Sequence, residues 1–388
     1  SQATTASNTA TPTSAYGQLS TLRSSVFIPE ASALALGGLT GTKLHPAMIG
    51  MQQLWNDSKL AIVQGVSYPE PNFSHFRAQD IYETGSNADE ILHSGWTGRY
   101  LNYEYPNYPA GFPNADMPDP LAIRVDGGVG IGLQNMGVSM GVSINNTNDP
   151  LNLTGNIYID PVTADCKGDK LSLIRTVQRQ TDLYGNVIEA AAGMNCTHST
   201  LYPTTGTAAV RLANALKVVS QLICGGLKTK IYWVNMGGFD THSAQVQSSN
   251  HTLGNHATLL KALSDNIRAF QHDLQLMGLE DRVLGMTFSE FGRRITSNAS
   301  GGTDHGSAQP MFLFGTNVIP GMLGSNPVIP ANTNTTTILA MQYDFRSVYA
   351  SVLKDWFCLN PSDIDSVLLD TYQPLNLIDP SGCISTSI

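Results

Sequence analysis

The groups best suited to chemistry lie in two short runs. Gly237-Gly238-Phe239-Asp240-Thr241-His242 follows an apolar stretch, Ile231 to Val234, and precedes a long amphipathic segment. A carboxylate and an imidazole two residues apart, on a loop leaving a strand, can both turn towards one metal ion. In an open α/β sheet that loop lies at the carboxyl end, where ligands bind. The second run, Gly302-Thr303-Asp304-His305-Gly306, comes just ahead of another apolar stretch, Met311 to Phe314. Asp240, His242 and His305 together make a His, His, carboxylate set of metal ligands suited to zinc, manganese or iron. An N-cap Asp with a surface His is the plainer alternative. His251, His256 and His272 read as solvated helix residues.

Two further runs hold candidate catalytic groups. In Pro71-Asn72-Phe73-Ser74-His75-Phe76-Arg77, Ser74 opens a helix after a strand. Unpaired backbone N–H groups there favour an oxyanion or bound phosphate, and a nearby metal could ionise the hydroxyl. A simple N-cap serine is the alternative. His75 and Arg77 are candidate substrate-binding groups, since a guanidinium suits an anion. In Thr287 to Arg294, Glu290 is a candidate ligand or general base and Arg293 a candidate anion binder; a structural Glu–Arg pair would use the same residues. Gly137-Val138-Ser139-Met140-Gly141 matches GxSxG, but Gly, Asn and Pro150 follow. No helix can start there, so it is not a nucleophile elbow. The chain carries no Walker loop and no dinucleotide fingerprint.

The elements that must position these groups read as a strand–helix alternation. Strands are expected at Leu60 to Val66, Leu121 to Val125, Ile231 to Met236, Val283 to Phe288 and Met311 to Phe314. Helices are expected at His45 to Asn56, Ser74 to Glu83, Leu171 to Ala192, Ala208 to Cys224, His256 to Met277 and Phe345 to Phe357. The clearest carries Leu259, Leu263, Ile267, Phe270, Leu274 and Met277 on one stripe, with Gly278 as its stop. Residues 94–118, rich in Tyr, Pro, Gly and Asn, read as a long surface loop. The fold class expected is α/β: a mainly parallel sheet with helices on both faces. Residues 1–15 read as a flexible polar arm. Residues 16–388 read as a single α/β domain with a Gly/Asn-rich excursion at about 126–165.

Composition narrows the partners. Of 388 residues 41% are apolar, enough for a large core, and only 13% are charged, roughly half the usual share. The net charge of −9 argues against nucleic acid as a broad partner. No apolar run is long enough for a membrane span. The five cysteines form no CxxC pair. Cys166 with Cys196 and Cys358 with Cys383 would close loops of modest length, and Cys224 reads as a buried free thiol. Together with the low charge, this points to an exported protein. The sequons at Asn145, Asn152, Asn195, Asn298 and Asn334 are what a polar chain produces by chance.

As a set, several motifs resemble the bacterial domain-of-unknown-function 1501 family, from about residue 16 to about 370. They are Leu44-His45-Pro46-Ala47, Val63-Gln64-Gly65-Val66, Asn72 to Arg77, Gly95-Trp96-Thr97-Gly98-Arg99-Tyr100, Gly237 to His242, Thr287 to Arg294 and Gly302 to Gly306. The resemblance implies an exported protein near the alkaline phosphatase and sulfatase superfamily, whose members bind two metals around a Ser, Thr or formylglycine nucleophile. Ser74 falls at the nucleophile, with Thr84-Gly85 closing its helix. Asp240, His242 and His305 fall at one metal, and Glu290 falls where a second metal takes an Asp-His pair. The family also carries a Gly-Gly-Asn-Asp-Gly-like loop after a first strand; the sequence begins after that point, so the fold is expected to lack that strand and the second metal to lack a ligand. The function implied is a secreted metal-dependent hydrolase of a small anionic phosphate or sulfate ester, its cofactor a divalent metal (zinc, manganese or calcium). The alternative is a non-catalytic, self-assembling surface or filament protein on a degenerate hydrolase fold.

Overall fold

The computed structural model of the chain describes residues 4–6, 15–145 and 161–383. Its strands are β1 (Thr4–Ala6), β2 (Leu34–Ala35), β3 (Thr42–Leu44), β4 (Leu60–Ser67), β5 (Ala122–Val125), β6 (Gln134–Asn135), β7 (Val138–Ser139), β8 (Val142–Ile144), β9 (Ile231–Val234), β10 (Gly285–Met286), β11 (Gln309–Phe314), β12 (Gly321–Leu323) and β13 (Tyr343–Asp344). Its helices are α1 (Ala15–Leu22), α2 (Ile49–Asn56), α3 (His75–Thr84), α4 (Trp96–Glu104), α5 (Cys166–Ala192), α6 (Thr207–Cys224), α7 (Asn255–Met277), α8 (Phe345–Asp355) and α9 (Pro361–Leu368).

Two sheets form the centre. One is parallel, in the order β8-β5-β9. The other runs β10-β11-β4-β12, with β13 also on β4. In it β11 is antiparallel to both β4 and β10, while β12 and β13 are parallel to β4. The expected parallel sheet is therefore present, beside a mixed one. Side-chain alternation along β4 and β11 explains why helices cover both faces. Ala61, Val63, Met311 and Leu313 enter one core with Tyr82, Trp96, Phe345 and Tyr349, from α3, α4 and α8. Leu60, Ile62, Phe312 and Phe314 enter the other with Met51, Leu222, Ile267 and Phe270, from α2, α6 and α7.

Several expectations are corrected. The supposed surface loop at 94–118 contains α4, in which Trp96, Tyr100 and Leu101 are buried. Its glycines hid it. A Cβ on Gly95 or Gly98 would come within 2.1 Å of the Gly132 or Gln134 carbonyl, so the helix packs directly on backbone. Arg99 ties it down by donating to Thr84, Ser94 and Val367 carbonyls. The strand expected at Val283 to Phe288 is paired only at β10. Within the expected excursion, β8 returns to the sheet on β5; its residues 146–160, with Asn152, lie outside the described residues. In the expected arm, Thr4–Ala6 pair with Leu44 to Thr42; residues 1–3 and 7–14 lie outside the described residues. Ser139 is buried in β7 and donates to the Gly141 carbonyl at 2.8 Å.

Cys196 pairs with Cys224, Cys358 pairs with Cys383, and Cys166 is free and exposed. Cys224 is thus no free thiol, and Cys196 does not bridge to Cys166. Cys196 reaches Cys224 because its loop is pinned to α6 and α7. The buried Asp273 carboxylate accepts hydrogen bonds from the Ser199 backbone, Tyr202 (2.8 Å) and Ser220 (2.7 Å). A thiol reagent should therefore modify one cysteine in the native protein, Cys166, and five after reduction and unfolding. Cys224→Ser should expose a second native thiol, Cys196, and lower unfolding stability by about 2–4 kcal/mol; unaltered thiol count and urea midpoint would disprove the pairing.

Candidate functional site

Strand direction assembles the site. β4, β9 and β10 each end in a loop carrying a candidate group: Ser74 and His75, Asp240 and His242, Glu290 and Arg293. Because β11 runs antiparallel to β4, its start lies at the same rim, and His305 just ahead of it arrives there too. Two glycines let the loop ahead of β11 stack backbone on backbone against the loops that follow β9 and β10. A Cβ on Gly302 would lie 2.4 Å from the His242 carbonyl, and one on Gly306 2.4 Å from Arg293.

The Asp240 carboxylate is the hub. His75 Nε2 lies 3.1 Å from Oδ2, while His242 Nε2 and His305 Nε2 each lie 3.0 Å from Oδ1. The latter two nitrogens are 2.9 Å apart. Arg293 donates to Oδ1 at 2.6 Å and also to the Phe239 and Thr303 carbonyls. Partial burial opposes ionisation of Asp240, but the hydrogen bond and charge of Arg293, with His305 and His242, outweigh it and take the carboxyl down to about 2.

Every imidazole of this hub has its second nitrogen committed to an acceptor. His305 Nδ1 donates to the Phe73 carbonyl at 2.8 Å, His242 Nδ1 to Asp304 at 2.9 Å, and His75 Nδ1 to Glu290 at 2.8 Å. A carbonyl can only accept, and so can an ionised carboxylate. Both carboxyls are held below their usual range, Asp304 by hydrogen bonds from Asn298 and His242, Glu290 by His75 against its burial. The protons therefore sit on Nδ1. Each Nε2 is turned on Asp240; partial burial opposes a charge on His75, but hydrogen bonds to Glu290 and Asp240 outweigh it and hold that imidazole above its usual range, so positive charge is favoured at this point. One ligand atom each from His75, Asp240 and His305 lies within 4.8 Å of the others. The contacts of about 3 Å in the hub are close to the roughly 3.4 Å that separates ligands placed tetrahedrally 2.0–2.1 Å from one ion. Nδ1 partners of this kind are what orient metal-ligating histidines.

The expected ligands Asp240, His242 and His305 thus come together, and His75, expected on the substrate, joins them. Glu290 holds His75. Ser74 is exposed, lies between His75 and Phe73, and makes no side-chain capping bond. Arg77 is not directed at the site: it donates to the Asn87, Ala88 and Glu90 carbonyls. Arg294 is spent on the His305 and Thr335 carbonyls. Sequence reasoning missed Asp304 and Asn298, which orient His242; Asp304 stands beside His305 in the same motif, the one signal that could have found it.

Beneath the rim, His45 and His256 form a second layer. Contrary to expectation, His256 is not solvated: both ring nitrogens are buried and meet no partner among the described residues. Its ring lies 6.3 Å from those of His45 and Phe239. His45 Nδ1 accepts the Ala47 N–H at 3.1 Å, and its burial pushes it down to about 4.

The family described as Protein of unknown function (DUF1501) matches residues 169–368. The chain belongs to that family. No curated protein and no solved structure matches it. The span matched to DUF1501 holds Asp240, His242, Glu290, Arg293, Asp304 and His305; Ser74 and His75 lie ahead of it.

The second layer sets a pH dependence. His45 takes up its proton near pH 6.5 when unfolded and only near 4 when folded. The unfolded chain binds more protons between those values, so stability is full above about pH 6.5 and falls as pH drops towards 4. His256, also pushed down by burial, adds to the same slope. His45→Asn, which keeps an acceptor for Ala47, should flatten the fall in urea midpoint across that window; an unchanged slope would clear His45 of the effect.

Proposed function

We propose that the rim binds a divalent cation, zinc or manganese, and that the protein is an exported hydrolase of a phosphate or sulfate ester with Ser74 as nucleophile. One observation carries this reading: three imidazoles with Nδ1 protons already donated turn Nε2 on one ionised carboxylate. His75, His242, His305 and Asp240 would hold the ion. Nitrogen-rich donors suit zinc or manganese and serve calcium, which takes six to eight oxygens, poorly. When bound, the ion would supply positive charge for a developing oxyanion.

The chain's own groups supply the rest. The first-turn N–H groups of α3 are uncapped by Ser74 and can take oxygens of an anionic substrate. Ser74 Oγ forms a bond to phosphorus or sulfur as the ester bond to the leaving alcohol breaks. The hydroxyl proton passes to water, and the alkoxide draws one from water. A water molecule then cleaves the serine ester and restores the hydroxyl. Arg293 neutralises Asp240 rather than binding the anion. The order of motifs supports kinship with alkaline phosphatases and sulfatases, and the two disulfides are consistent with export.

A second reading, a non-catalytic assembling protein on a degenerate hydrolase fold, is favoured by the engagement of Arg77, Arg293 and Glu290 within the chain. Metal analysis with turnover of aryl phosphates and sulfates separates the two. The hydrolase should carry about one zinc or manganese per chain, lost in His305→Ala. Ser74→Ala should keep the metal yet lose roughly three orders of magnitude or more in turnover. Undiminished turnover in Ser74→Ala removes that residue from the reaction. No metal uptake by the unmodified chain removes the centre, and bound metal without turnover leaves the second reading.

A further inference from the structure

The guanidiniums carried by the rim motifs are all engaged within the chain. Arg293 donates to Asp240 and to the Phe239 and Thr303 carbonyls, and its side chain is 11% exposed. Arg294 donates to the His305 and Thr335 carbonyls. Arg77, in the first turns of α3, donates to the Asn87, Ala88 and Glu90 carbonyls. Turning any of them out to an anion would leave carbonyls without a donor, which costs free energy wherever they are buried. Three carboxylates, Asp240, Glu290 and Asp304, surround the same point. Imidazoles that hold a metal do so in their neutral form. Set against Arg293, Arg294 and a divalent ion, the three carboxylates leave one positive charge. Two aromatic side chains bracket Ser74 and His75: Phe73 is 37% exposed and Phe76 84%. The Phe73 carbonyl is fixed to the rim by His305 Nδ1 at 2.8 Å, and Phe76 lies in the first turn of α3.

Taking the rim as the hydrolase centre proposed for it, we infer that its ester bears one negative charge and an aromatic group: an aryl sulfate or an aryl phosphodiester, and not a phosphate monoester. A phosphate monoester carries two charges above about pH 6. Its second charge would meet Asp240, Glu290 and Asp304 with no uncommitted guanidinium from these motifs to answer it. A sulfate ester or a phosphodiester carries one charge, which the ion and the neutral first-turn N–H groups of α3 can match. Discrimination then rests on the repulsion of the wrong anion as well as on attraction of the right one. The aromatic part follows from Phe73 and Phe76. Exposed rings on either side of the candidate nucleophile in the chain can stack on an aryl leaving group and take its surface out of water. The bond changes are those of the hydrolase. Ser74 Oγ joins sulfur or phosphorus, the aryl oxygen leaves and takes a proton from water, and in a diester the second ester bond stays intact.

The test uses the intact, metal-loaded chain at about pH 8.5, well above the second ionisation of a phosphate monoester near pH 6. Turnover is compared for 4-nitrophenyl sulfate, bis(4-nitrophenyl) phosphate and 4-nitrophenyl phosphate. Calorimetry compares the binding of dianionic phenylphosphonate with that of its monomethyl ester and of benzenesulfonate. One of the two monoanionic esters should exceed the phosphate monoester in kcat/KM by about tenfold or more, and which of them does so tells sulfate from diester. The monoanionic ligands should also bind tighter than phenylphosphonate. Phe76→Ala, at an exposed position, should raise KM for the preferred aryl ester several-fold with little change in kcat, and Phe76→Arg should shift the preference towards the monoester. Faster turnover or tighter binding of the dianion overturns the charge selection, and an unaltered KM in Phe76→Ala overturns the aromatic contact. If no ester is turned over, the hydrolase reading falls, while the ligand affinities still decide the charge selection.

Discussion

Antiparallel pairing of β11 on β4 is the constraint from which the site follows. A strand in a parallel sheet would begin at the floor and leave its preceding loop far from the loops that end β4, β9 and β10. With β11 reversed, the loop ahead of it joins the rim, and His305 meets Asp240, His242 and His75. The cluster around Asp240 depends on that one reversal. The β4 ladder holds it in place: β11, β12 and β13 all pair with β4, and its alternate residues enter both cores.

Charge is the second organising term. Asp240 is surrounded by one guanidinium and three imidazoles, and each of those groups is itself oriented by another acceptor: Phe239 and Thr303 for Arg293, Asp304, Glu290 and Phe73 for the rings. A carboxylate in the first position and carboxylates or carbonyls behind the rings form a charge-alternating shell. Such a shell is rigid in orientation, because each donor has one geometry that serves both its partners. It also explains the commitment of Arg293, whose side chain is only 11% exposed and so cannot readily turn out to an anion.

Among the described residues β9 has a strand partner along one edge only. Fully buried β5 and half-buried β9 are adjacent strands of similar apolar composition. What separates them is a neighbour on the far edge, since burial of a strand in an α/β sheet needs both a strand beside it and helices above and below. α6 and α7 supply the second requirement for β9, and among the described residues the first is met on one side only.

Much of this was legible in the residues. Apolar runs marked β4, β5, β9 and β11, the stripe on α7 marked that helix and its stop at Gly278, and two short motifs singled out Asp240, His242 and His305, which meet in space. These signals are local, because periodicity and loop position follow from backbone geometry alone. Other features are not local. α4 was concealed because its glycines serve packing against residues 132–134 rather than a turn. The pairing of Cys196 depended on Asp273, far along the chain, and the roles of His75, Arg77 and Arg293 depended on which carbonyls and carboxylates lay within reach. The sequence determined which groups can bind, donate or attack, since that is intrinsic to each side chain. Only the tertiary structure decided which of them face one another, because that is set by strand direction and close approach between residues remote in the chain.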